Sequence, residues 1–402
     1  MIRALIFLSL YASFWGASPT YGWILQIAYL PLLFTAGVYA FVNKRVRPDP
    51  PSVAEVVLFS AALLSTAVTM FRGMYELTEY SIVFFIALTL LSITARSVSL
   101  EDLLATAATA AFFGVITCLI VERQALVVAL SVHYDRNGLT RFGPLGTNPD
   151  VVGLIFASSA ILMMHRALVT SRRTERAVML AGMILALIFV VAASARASFL
   201  AFFAACIVAF GFEIRFKRST YQKIAVVSVL LLPLVLPRLY KYLGGIFELS
   251  SRYRGVGSGG SGRTMVWAKG LAAIFSDPIR LCFGGGIRSS EKTYIGFFTE
   301  DSYITVLLDS GLFLGTAIIC IYPYAALKAL QTTQQPGNPK SLILVCAYIV
   351  FVLCESVFNR YLLAIGNPCS LVTILILISI AVRRQPAADP AGEFGSIERT
   401  VG

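Results

Sequence analysis

The sequence predicts an all-α polytopic membrane protein of about twelve transmembrane helices, with a long external loop before the tenth. Three observations carry that prediction. Of 402 residues, 57% are hydrophobic and only 13% charged, with a mean hydropathy of +0.79, which leaves too little charge to cover a soluble domain of this length. Apolar runs of roughly 17–22 residues recur along the chain, long enough to cross a hydrocarbon core as helices. The connections between them alternate in charge.

The expected spans are 4–18, 22–42, 53–71, 79–95, 102–121, 150–168, 177–194, 197–213, 222–239, 301–328, 341–358 and 361–382. The first, Ala4 to Ala17, lacks a small-residue cleavage site before the next run and reads as a retained helix. One set of connections is basic: Lys44, Arg45 and Arg47; Arg96; Arg166, Arg172, Arg173 and Arg176; Arg215, Lys217, Arg218 and Lys223; Lys328 and Lys340; Arg383 and Arg384. The short loops on the other side hold Arg72, Arg123, Arg136, Arg141, Arg196 and Arg360. The positive-inside bias makes the first side cytoplasmic, and an even span number places both termini there. Residues 1–384 then form one membrane domain, and the polar, Pro-containing tail 385–402 reads as disordered.

Seven cysteines are scattered without metal-like spacing, and His133 and His165 are the only histidines. Neither pattern points to a metal site or another cofactor. The net charge of +12 follows the topology and is no sign of nucleic-acid binding.

Two external segments exceed a tight turn. Glu122 to Asp150 ends in the turn-rich run Gly143-Pro144-Leu145-Gly146-Thr147-Asn148-Pro149. The loop 239–300 is the only long one. Within it, Thr264 to Ser276 places Val266, Trp267, Leu271, Ile274 and Phe275 at helical spacing, which predicts an amphipathic helix on the membrane surface, stopped near Pro278. Gly255 to Gly262 before it and Gly284-Gly285-Gly286 after it read as flexible connections. A long external loop with its own helix reads as a lid over a site.

Arg196 sits in the nearly loopless turn Ser194-Ala195-Arg196-Ala197-Ser198. A charge there either snorkels to headgroups or faces a polar cavity, where a guanidinium holds a phosphate with two parallel hydrogen bonds. Arg252, Arg254, Arg263, Arg280 and Arg288 belong to the lid, and Arg141 to the turn-rich segment. Glu300 and Asp301 stand where the lid re-enters the membrane. They read either as first-turn acids that stabilise a helix N-terminus or as a general base toward a sugar hydroxyl. Asp309, two turns deeper, calls for a buried partner, and Tyr303 could offer a hydrogen bond or join the interfacial aromatic belt.

Three segments, in order, resemble the O-antigen polymerase/ligase family of bacterial envelope glycosyltransferases (the Wzy/WaaL type). The run Arg141 to Pro149 is similar to that family's Arg, Gly, Asn-Pro turn, and Ser194-Ala195-Arg196-Ala197 to its Ser-Arg-Gly turn. The third is Gly262-Arg263, Trp267, Asp277-Pro278, Gly284-Gly285-Gly286 and Asp301-Ser302-Tyr303 with Gly311 and Gly315. The resemblance covers residues 141–315. It implies a metal-independent, inverting glycosyl transfer at the periplasmic face of the bacterial inner membrane, from a donor glycan on undecaprenyl pyrophosphate to a glycan acceptor. It casts Arg196 and Arg263, with Arg141 as a weaker member, as pyrophosphate ligands; beside them, Arg254 of the lid is a further candidate ligand, Glu300 and Asp301 are the candidate catalytic carboxylates, and Tyr303 and Trp267 are candidate substrate contacts. It also implies a chain-length regulator protein as a partner.

Ligases of this family carry a histidine just before Asn-Ser-Tyr; here Glu300 stands there. That favours a polymerase, whose acceptor is another lipid-linked repeat, over a ligase that transfers glycan to lipid A-core. A flippase or transporter is the other class. Repeated halves joined by a long central connection would favour it, but the central loop Arg166–Arg176 is short and the long loop is external and late.

Overall fold

The computed structural model describes residues 1–16, 18, 22–43, 45–46, 49–135, 138–216, 241–248, 263–296, 299–333 and 341–382. The expected ninth span, the Gly255–Gly262 stretch, Arg252, Arg254 and the tail 385–402 lie outside these residues. The elements are α1 (Ile2–Phe14), α2 (Gly22–Val42), α3 (Val53–Phe71), α4 (Tyr75–Ser97), α5 (Leu100–Val121), α6 (Arg123–Leu130), a two-stranded hairpin (Tyr134–Asp135 with Gly138–Leu139), α7 (Pro149–Val169), α8 (Arg173–Ala192), α9 (Arg196–Phe216), α10 (Arg263–Phe275), α11 (Pro278–Phe283), α12 (Ser302–Thr333), α13 (Ser341–Ser356) and α14 (Pro368–Val382).

Helix starts follow local chemistry. Ser52 and Glu55 form a reciprocal capping box on α3, and Ser99 accepts the Asp102 N–H at the head of α5. Asn148 caps α7 and Asp277 caps α11, each followed by a proline, whose missing N–H costs nothing in the first turn.

Among the described residues, α3, α4, α5, α7, α8 and α12 are long and apolar enough to cross a membrane, and five shorter apolar helices accompany them. Large apolar side chains point outward: Phe71 (90% exposed), Phe313 (73%) and Ile207 (72%) stand on the bundle surface. Such faces are stable in lipid and aggregate in water. The chain is a multi-pass, all-α membrane protein.

Two helices form the axis. Along α7, 89% of the apolar window is buried, and it packs on α5, α8, α9 and α13. In α14 every residue from Pro368 to Ile380 is buried, enclosed by α1, α3, α4, α5, α7, α12 and α13.

Helix α12 breaks at Gly311, whose backbone adopts φ 75° and ψ 175°. The broken ladder is replaced from outside: the Gly285 and Gly286 N–H groups donate to the Leu308 and Asp309 carbonyls, both at 2.9 Å. A Cβ on Gly311 would meet the Cys282 carbonyl oxygen at 2.4 Å, so the two backbones touch directly. Asp309 has its expected buried partners, accepting from Arg288 N (3.0 Å), Ser289 Oγ (2.9 Å) and Ser290 N (3.2 Å). Gly284 to Gly286 is therefore a docked segment and not the flexible connection its composition predicts. Gly284 and Gly311 are needed here for close backbone approach.

Gly153 on α7 sets another close approach. A Cβ there would lie 2.1 Å from the Ala195 Cβ and 2.8 Å from the Ser198 Oγ, so glycine is what lets the α8–α9 turn seat on α7. Gly153→Ala should destabilise the protein by about 1–3 kcal/mol through overpacking, read as a lower unfolding temperature in detergent. An unchanged Tm would show that the turn can move aside.

Candidate functional site

The turn-rich segment that precedes α7 is built onto the α8–α9 turn. Phe142 stacks on Phe189 with ring centres 5.2 Å apart, and its N–H donates to the Ala192 carbonyl at 3.0 Å. Arg141 Nε donates to the Ala193 carbonyl at 2.9 Å. These bonds bring the Arg141 guanidinium and the head of α9 together. The turn itself holds Ser194 at φ 51°, a left-handed conformation that costs a non-glycine residue energy and must be enforced by its surroundings.

A cavity of about 470 Å³ opens at this point, lined by Arg141, Asp150, Ser194, Arg196, Ser198, Arg263, Glu300 and Asn359 among others. Three helices begin at its wall, and a fourth is described from Arg263 on. Asp150 lies in the first turn of α7, Arg196 is the first residue of α9, Arg263 the first of α10, and Glu300 stands just before α12. The heads of α7, α9 and α12 stand at the cavity, and the positive end of a helix dipole favours an anion nearby.

The arginines are held by carboxylates. Asp150 bridges two of them, with Oδ1 2.6 Å from Arg141 Nη2 and Oδ2 3.4 Å from Arg263 Nη2. Glu300 Oε2 lies 3.4 Å from the same Arg263 nitrogen. The Arg263 guanidinium also sits 6.0 Å over the Phe358 ring. Glu300 adopts φ 56°, a second strained residue at the cavity. Three guanidiniums against two carboxylates, beside the heads of α7, α9 and α12, leave a net positive pocket sized for a compact anionic group.

Of the residues singled out in the sequence, Arg141, Arg196, Arg263 and Glu300 thus share one cavity. Asp301 does not line it: this buried carboxylate caps α12, accepting the Ile304 N–H at 2.8 Å. Tyr303 turns into the bundle, where its hydroxyl donates to the Leu353 carbonyl at 2.6 Å. Trp267 joins a small apolar cluster with Ile274, Ile304 and Leu308 that holds α10 against α12. The opposite flank of α10 exposes Met265, Leu271 and Phe275. Arg254 lies outside the described residues.

The other described lid arginines, Arg280 and Arg288, serve the lid. Arg280 binds the Ala273 carbonyl (2.7 Å) and Ser276 Oγ (3.0 Å), and Arg288 pairs with Glu291 at 2.8 Å. The α10–α11 corner is tied to the end of α3 by Arg72 and Asp277 at 2.8 Å. The Arg72 hydrogen bond holds the Asp277 carboxyl below its usual range.

Sequence reading missed Asp150, Asn359 and the fully buried Glu355 beneath them. Asp150 reads as an ordinary first-turn acid, since its partners lie 9 and 113 residues away. Glu355 did carry a signal, being an ionisable group inside an apolar helix.

No protein-family model matches the chain, and a search of curated proteins returns no match.

Asp150 occupies positions on Arg141 and Arg263 that a bound anion would take. Asp150→Asn should therefore raise affinity for inorganic pyrophosphate at low salt by about three- to tenfold, the scale of one partly exposed ion pair. Titration calorimetry on detergent-solubilised protein reads this directly. Weaker binding would instead mean that Asp150 is needed to hold the arginines in place.

Proposed function

We propose that the chain is a membrane glycosyltransferase that polymerises oligosaccharide repeat units carried on undecaprenyl pyrophosphate. The observation that carries this reading is the meeting of Arg141, Arg196 and Arg263 in one cavity. Each comes from a different one of the three segments that resemble the O-antigen polymerase/ligase family. On this reading the protein lies in the bacterial inner membrane with twelve spans, cytoplasmic termini and a cavity open to the periplasm.

The chemistry follows from the charges. The guanidiniums grip the two phosphates of the donor, and the same groups stabilise the charge that builds on the pyrophosphate as the glycosidic bond breaks. Helix N-termini add fixed dipoles that need no reorganisation during the reaction. Glu300 faces the same cavity, and a phosphate drawing Arg263 to itself would release this carboxylate to accept the proton of the attacking sugar hydroxyl. The place of Glu300, where ligases of the resembled family carry histidine, favours a second lipid-linked repeat unit as acceptor.

The test is complementation of cells that lack the protein, read as glycan length. Wild type should restore long chains. Arg263→Ala should lower the rate about a hundredfold or more, the usual effect of losing a group that stabilises transition-state charge. Single repeat units should then accumulate on the lipid carrier. Full-length chains stranded on the carrier would identify a ligase, and units trapped on the cytoplasmic side a flippase.

Glu300→Gln should abolish chain growth with the protein still present in the membrane at wild-type level. Polymer of near-normal length from that variant would remove Glu300 from the role of base.

A further inference from the structure

The floor of the cavity differs in chemistry from its arginine wall. Ser198 and Asn359 line it and are 1% and 6% exposed. Beneath them lies Glu355, 1% exposed. Its Oε1 accepts the Ser198 hydroxyl at 2.7 Å and the Asn359 Nδ2–H at 2.5 Å, while Oε2 has no hydrogen-bond partner among the described residues. Oε1 accepts both bonds whether or not a proton sits on Oε2.

Donation downward fixes what the floor offers upward. With its hydrogen committed to Glu355, the Ser198 hydroxyl has only lone pairs left for a ligand. With one N–H given to the carboxyl, Asn359 keeps Oδ1 as an acceptor and its second N–H as a donor. Ser194, also at the wall, has a buried Oγ without a partner. The cavity therefore has two faces: guanidinium N–H donors alone on the arginine side, and on the floor oxygens that accept beside groups that can also donate. A phosphate oxygen has no hydrogen to give an acceptor. A neutral group rich in hydroxyls fits there.

We propose that the floor is a sugar subsite. Hydroxyls of the residue attached to the donor pyrophosphate donate to Ser198 and Asn359, and Glu355 is the positioning residue that sets their polarity. This rests on the reading that the arginines take the phosphates, and adds that the cavity selects a glycosylated carrier over the bare lipid diphosphate.

The experiment measures binding of two probes to the full-length, detergent-solubilised protein: undecaprenyl pyrophosphate, and the same lipid carrying one sugar. Wild type should prefer the sugar-bearing probe. Glu355→Met, similar in size but without an acceptor, should weaken that probe about tenfold, the scale of one to two lost hydrogen bonds, and leave the bare lipid within twofold. Glu355→Gln keeps an oxygen acceptor and should recover most of the affinity. Ser198→Ala removes a single floor acceptor, should cost the sugar-bearing probe about threefold, and serves if Glu355→Met does not fold.

Equal weakening of both probes by Glu355→Met and Ser198→Ala, or no effect on either, overturns the subsite. Failure of the arginine reading looks different: wild type would not bind the bare lipid, or Arg263→Ala would bind it as well as wild type does.

Discussion

Like charge crowded into one place is the constraint on which the rest of this structure depends. Three helix N-termini and three guanidiniums meet at one cavity, an arrangement that repels itself unless anions are supplied. Asp150 and Glu300 supply them from within the chain. The strained backbones at Ser194 and Glu300 and the closeness of Gly153 to the α8–α9 turn are what holding these groups together requires. Bonds from Arg141 and Phe142 to the carbonyls of that turn anchor the assembly on the bundle core. A pocket stabilised by its own carboxylates is already organised for a diphosphate, which replaces one set of anions by another.

Much of this was legible in the sequence because it is written in local patterns. Apolar periodicity and caps place the helices, and the lid helix stands at Arg263–Phe275, where Val266, Trp267, Leu271, Ile274 and Phe275 recur. Arg141, Arg196, Arg263 and Glu300 could be named because a charge beside an apolar helix is costly and so conspicuous. Neighbouring residues could not be sorted by role in the same way. Glu300 and Asp301 are adjacent and chemically alike, yet one faces the cavity and the other caps α12. That difference is one of backbone direction, set by tertiary packing. The partners of Asp150 and the donors to Glu355 were hidden for the same reason, since Ser198 lies 157 residues from Glu355.

The lid is better described as a buttress than as a loose flap, at least along its described part. Trp267 and Ile274 pack α10 on the start of α12, Arg72 pins the α10–α11 corner, and Gly285 and Gly286 supply hydrogen bonds that α12 lacks at its break. Residues 263–296 thereby complete the helix they cover. Gly270 serves the same end: a Cβ there would meet Ile304 Cγ2 at 2.6 Å.

The buried α14 has a consequence for how the protein is made. It follows the thirteen other helices described here in chain order, so a ribosome releases it after them. Yet it is the helix with the least surface for lipid, enclosed by seven others. The earlier helices must wait in the bilayer with an unfilled slot along their axis, and the bundle closes only when this segment leaves the translocon and slides into it. Seating this segment is therefore a late and cooperative step in assembling the described bundle, one by which quality control in the membrane can tell a closed bundle from an open one.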